Sequence, residues 1–106
     1  MAAVLDKYEM IDLIKRYYDV LRESMLIDAI YLFGSYSRGK ADQDSAIDLL
    51  VVSPDFTDNV IEDRMKLMRA RREVDYRIEP HPVMRGKLDS SVLFTIAKRE
   101  MLRFIR

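Results

Sequence analysis

Along residues 7–25, apolar side chains recur with the spacing of a helix face: Met10, Ile11, Leu13, Ile14, Tyr17, Tyr18, Val20, Leu21 and Met25 fall on one side, and Asp12, Lys15, Arg16, Asp19, Arg22 and Glu23 on the other. The pattern predicts an amphipathic helix whose apolar face is broad enough to lie across a sheet. Residues 29–33 form a short run of β-branched and aromatic side chains stopped by Gly34, which reads as a strand covered on both faces. A polar turn follows over residues 34–39, then a loop over 40–45 that carries Asp42, Gln43 and Asp44. Residues 46–52 give a second buried strand, interrupted by Asp48 and ended by Ser53 and Pro54.

Asp58 or Asn59 can cap the next helix, with Glu62 and Asp63 in its first turn and Arg69, Arg71 and Arg72 in its last, as the helix dipole favours. Its expected buried side is Ile61, Met65 and Met68, with Val60 and Leu67 nearby. Residues 74–78 alternate, Val74, Tyr76 and Ile78 against Asp75 and Arg77, and predict a third strand that Pro80-His81-Pro82 breaks. A last helix is expected from Asp89 or Ser90 to Arg106, with Leu93, Ile96, Ala97, Leu102 and Ile105 turned inward. The fold class is therefore α/β (α+β), a small mixed sheet packed by helices in the order α-β-β-α-β-α.

At 106 residues the length predicts one domain, 1–106, with no internal repeat or linker. Eighteen Lys plus Arg balance eighteen Asp plus Glu, so no global field favours DNA, RNA or an anionic membrane, and any phosphate affinity has to be local. The absence of cysteine excludes disulfides, thiol catalysis and Cys-based zinc, and the single His81 excludes multi-histidine metal sites. Asp6 and Glu9 interrupt any apolar leader, and no stretch is long and apolar enough to span a bilayer, so the expected location is cytoplasmic.

Two features carry chemistry. Asp48 sits inside an apolar strand, where an unpaired carboxylate costs several kcal/mol, about 3–5, so it needs a partner; a structural ion pair is one reading. Asp75 also falls within a short strand, and two acids on neighbouring strands aimed into one cleft would draw a divalent cation. The second feature is Gly34-Ser35 directly after a buried strand: glycine lets a phosphate approach, free N–H groups and the Ser35 hydroxyl can hold its oxygens, and Arg38 can add a charged contact. Most Gly-Ser turns merely reverse the chain, so the signal lies in the combination.

The turn Gly34-Ser35-Tyr36-Ser37-Arg38-Gly39, the strand Ser45-Ala46-Ile47-Asp48-Leu49-Leu50-Val51 and the segment Val74-Asp75-Tyr76-Arg77-Ile78 together resemble the minimal nucleotidyltransferases of the DNA polymerase β superfamily. The resemblance implies the nucleotidyltransferase fold and transfer of a nucleoside monophosphate, AMP from ATP, to an acceptor hydroxyl with Mg²⁺ and release of pyrophosphate. It implies that Gly34 and Ser35 hold the triphosphate, that Arg38 supports the loop or the phosphates, and that Asp48 and Asp75 are metal ligands and the catalytic carboxylates. Small members of this kind are paired with a HEPN-domain toxin, so an antitoxin role is implied as well. The chain departs from the family at Ala46, where the family has the first carboxylate of Asp-x-Asp. Asp44 is a poor substitute, because positions four apart on a strand stand about 13 Å from one another.

That departure leaves open an introduced substitution, a naturally degenerate enzyme and a chain that works with fewer carboxylates. A non-catalytic module that masks the toxin by binding is the alternative function. Between two prolines His81 reads as a solvated or capping residue, Met10, Met25, Met65 and Met68 as core, and the basic run 64–72 as a solvated face. A homo-oligomer stays open.

Overall fold

Helix α1 (Lys7–Leu21) is fixed at its start by a reciprocal cap: the Glu9 N–H donates to the Asp6 carboxylate at 2.8 Å, and the Asp6 N–H donates to the Glu9 carboxylate at 3.0 Å. Two otherwise orphaned donors are thereby satisfied. The computed structural model describes residues 4–57, 59–87 and 102–105. Helix α1 buries Met10, Leu13, Ile14, Tyr17 and Leu21, the face expected from the periodicity. It ends at Leu21, short of Met25, because the chain turns over the next residues; Met25 still packs against the core from that turn.

Strands β1 (Ala29–Phe33) and β2 (Ile47–Ser53) pair antiparallel, helix α2 (Val60–Arg71) crosses over, and β3 (Ile78–Met84) lies parallel to β2. A fourth strand, β4 (Leu102–Ile105), runs antiparallel to β1, which gives the sheet order β3-β2-β1-β4. The α/β class with a small mixed sheet is the one expected. Both helices cover one face of the sheet, where Ile30, Leu32, Ile47, Leu49, Val51 and Ile78 join the helical side chains and Leu67. Ala29, Phe33, Leu50, Val52 and Val83 form the second cluster, on the other face. Alternation along β2 places Asp48 on that second face.

Three sequence expectations shift. Residues 74–77 form a turn, not a strand: the Val74 and Asp75 N–H groups donate to the Arg71 carbonyl at 3.0 and 2.9 Å. The strand starts at Ile78 and runs through Pro80-His81-Pro82. The prolines are tolerated because β3 is an edge strand and they stand two apart, so both missing donors fall on its outer side. The inner side keeps its ladder, with Ile47 N–H to Arg77 O at 2.8 Å and Arg85 N–H to Ser53 O at 3.0 Å.

Helix α2 is capped by Asn59, whose side chain accepts from the Glu62 N–H, but the face it buries is Asp63 and Leu67. Ile61 (76% exposed), Val60 (63%) and Met65 (48%) point away from the core. The helix is turned this way because the Asp63 carboxylate accepts from Thr57 N–H (2.8 Å) and Thr57 Oγ1 (3.2 Å), and the Leu67 carbonyl accepts from Tyr17 Oη at 2.8 Å. The expected last helix falls mostly outside the described residues; its end does not continue to Arg106, since residues 102–105 pair with the free edge of β1. Among the described residues no helix is long and apolar enough to cross a membrane.

Tyr17 is fully buried, and burial pushes its phenol above the ordinary range. Its hydroxyl ties α1 to α2, so Tyr17→Phe is expected to lower stability by about 1 kcal/mol, read from urea unfolding, by stripping one partner from the Leu67 carbonyl.

Candidate functional site

The site forms where β1 ends and β2 begins. Phe33 and Asp48 face each other across the antiparallel pair, and the next residue, Gly34, adopts φ +79°, a left-handed conformation that side chains rarely take. A Cβ on Gly34 would stand 2.5 Å from Asp48 Oδ2, so only glycine lets the turn lie against the carboxylate. The turn is closed by Ser37 Oγ (2.8 Å), Ser37 N–H (3.1 Å) and Arg38 N–H (3.2 Å), all donating to the Gly34 carbonyl. The N–H groups of Ser35 and Tyr36 and the Ser35 hydroxyl make no hydrogen bond within the described residues. A turn of this kind, with donors gathered beside a glycine, is a cradle for phosphate oxygens. Arg38 is exposed on its rim.

Asp48 is 29% exposed, and its Oδ1 lies 3.6 Å from His81 Nε2. Glu79, two residues before His81, is the parallel register partner of Asp48. Its carboxylate accepts from Arg64 of α2 at 3.2 Å. Two polar side chains therefore flank Asp48 on β3 that the sequence reading passed over. The signal was present as the alternation of Ile78, Pro80 and Pro82 with Glu79 and His81, but the prolines read as a strand break.

Of the predicted residues, Gly34, Ser35 and Asp48 come together. Asp75 does not share that register: it lies in the turn before β3, where Arg77 binds it through Nε (3.0 Å), Nη2 (2.8 Å) and its own N–H (2.8 Å). These bonds hold the Asp75 carboxyl below the usual carboxylate range, outweighing its partial burial, and Arg16 of α1 adds to the effect. A lowered folded pKa means stabilisation that is full above the unfolded value of about 3.9 and is lost as the pH falls through the folded one. Asp75→Asn is accordingly expected to cost about 1–2 kcal/mol at pH 7. The difference from the unmodified chain should close below about pH 4, as checked by thermal melts across the acid range.

Magnesium is commonly held by one or two carboxylates together with substrate phosphates. Asp48, beside the glycine cradle, fits one such ion; a pair of ions does not fit, because Ala46 offers a methyl group and Glu79 is tied to Arg64. Among the described residues no group of three or more His, Cys, Asp and Glu is placed to hold a metal.

Residues 14–102 match the family model of the nucleotidyltransferase domain. Comparison with curated proteins finds no match. Among solved structures, a Sulfolobus solfataricus protein assigned as a nucleotidyltransferase superposes with TM-score 0.66 at 22% identity, over 92% of this chain and 80% of that one. A toxin–antitoxin complex with AMP-PNP superposes with TM-score 0.55 at 26% identity, over 85% of this chain and 70% of that one. A mutant of the toxin–antitoxin MntA–HpeT gives 0.52 at 24% identity, with 85% and 70% covered. With the family match extending over most of the chain and the glycine turn seated on the Asp48 carboxylate, the chain belongs to the nucleotidyltransferase domain family.

Proposed function

We propose that this chain is a nucleotidyltransferase of the antitoxin type, which takes ATP and moves AMP to a hydroxyl of a partner protein, a HEPN-type toxin. The observation that carries this reading is the contact between the Gly34 turn and Asp48, which puts a phosphate cradle within one atom's reach of a reacting carboxylate. The similar toxin–antitoxin complex with AMP-PNP supports the choice of nucleotide and partner class. In the reaction the acceptor oxygen forms a bond to the α-phosphorus, the bond from that phosphorus to the bridging oxygen breaks, and pyrophosphate leaves.

The Ser35 hydroxyl and the Ser35 and Tyr36 N–H groups hold phosphate oxygens, and Arg38 adds positive charge at the rim. Asp48 draws the proton from the acceptor hydroxyl; it would also be the residue to hold a magnesium ion carried with the triphosphate, which would supply neutralisation of phosphate charge. Glu79, the register partner of Asp48 on β3, is held by Arg64 and takes no part in binding the ion. Transfer is slow, since Ala46 removes one carboxylate. ATP as substrate makes the cytoplasm the site of action.

A second reading, a module that masks the toxin by binding alone, is favoured by Ala46 itself and by the exposed Val60, Ile61 and Met65 on α2. Incubation with ATP labelled at the α-phosphate, Mg²⁺ and the partner should label the partner and release pyrophosphate. Failure to bind ATP, with a complex that forms in its absence, would replace the transferase reading by the masking one.

A further inference from the structure

We infer that His81 is a positioning residue for Asp48, an inference that rests on reading Asp48 as the reacting carboxylate. Nε2 of His81 is buried with no hydrogen-bond partner among the described residues, and the oxygen facing it is Asp48 Oδ1, at 3.6 Å. A buried polar nitrogen left unpaired is costly, so the imidazole is held where it is by something other than its own satisfaction. Its ring packs on Phe33, with centroids 5.4 Å apart, and Phe33 is both the register partner of Asp48 and the residue before Gly34.

The carboxylate is thus held between two strands. Oδ2 rests on the bare face of Gly34, and Oδ1 looks toward His81. A distance of 3.6 Å is too long for a hydrogen bond, but the half-buried Asp48 carboxylate has room to turn. A small rotation of the Asp48 side chain brings Oδ1 to an Nε2–H donor. In a chain with Ala46, no neighbouring carboxylate shares an ion with Asp48 to fix its direction, and the imidazole supplies that constraint from β3. Glu79, already engaged by Arg64, does not compete for His81.

Because His81 is the only histidine, the test is unambiguous. Proton–nitrogen NMR of the labelled imidazole should show a slowly exchanging Nε2–H signal that disappears in Asp48→Ala. This arm needs no transfer activity, so it stands or falls independently of the proposed reaction. In the AMP-transfer assay, His81→Ala should lower kcat about 10–100-fold while KM for ATP stays within about twofold. His81→Gln, whose amide N–H can reach the same oxygen, should recover much of the loss. Absence of the protected Nε2–H signal, its persistence in Asp48→Ala, or a glutamine variant no better than alanine would overturn the assignment. Equal melting temperatures for the two His81 variants separate positioning from a folding defect; a loss of transfer that only follows a loss of folded protein counts against it.

Discussion

Gly34→Ala is expected to abolish measurable ATP binding and to lower AMP transfer at least about 100-fold, while leaving the protein folded. Two effects act at this position. Alanine at φ +79° carries a strain of about 1–2 kcal/mol. Its Cβ would also meet Asp48 Oδ2 at 2.5 Å, Cγ at 3.3 Å and Cβ at 3.4 Å. The strand backbones on both sides are locked in the β1–β2 ladder, so the Asp48 carboxylate is the group that gives way. It swings out of line with the cradle, and the new methyl group stands where phosphate oxygens would approach. Stability pays the strain alone, whereas function suffers the displacement.

Gly39→Ala separates the two effects. Gly39 has φ +69° but no atom within 4 Å of an added Cβ, so the strain is similar and the clash is absent. Calorimetric titration with ATP should therefore find binding kept in the Gly39 variant and lost in the Gly34 variant, at comparable melting temperatures. Equal binding by both would show that the contact between Gly34 and Asp48 has no part in the site.

How far the sequence displayed these elements depended on whether the forces that form them are local. The buried face of α1 follows from a nine-residue apolar stripe, and β1 and β2 from continuous apolar runs, so all three were readable, together with the turn and Asp48 between them. Strand β3 was not. Its prolines suggest a break, and what admits them is the edge location of the strand, a property of the assembled sheet. Placing the strand four residues too early brought forward Asp75, which Arg77 neutralises in a turn, and hid Glu79 and His81.

The buried side of α2 was misjudged for a related reason. Apolar Ile61 and Met65 outweigh Asp63 in any periodicity count, yet Asp63 goes inside because Thr57 satisfies its carboxylate there. Strand β4 depends on the vacant edge of β1, a partner about seventy residues away that no local pattern encodes. The departure at position 46, in contrast, is legible only in the sequence, since a small side chain leaves no mark on the fold.

Ala46→Asp should raise Mg²⁺-supported AMP transfer by about 10²–10⁴-fold. Positions 46 and 48 are two apart, and in extended backbone such residues project the same way about 6.6 Å apart, close enough for both carboxylates to reach one ion. The variant also carries a distinctive stability signature. A new carboxylate beside Asp48 and Glu79 adds like charge to one corner of the sheet, so without metal the variant should melt below the unmodified chain. Magnesium should reverse the order, because an ion bound by the folded state but not the unfolded one stabilises by mass action. Chelation with EDTA should remove both the gain in melting temperature and the gain in transfer. A variant that binds ATP yet shows neither gain would mean that the missing carboxylate is not what limits this chain, and the masking reading would then account better for Ala46.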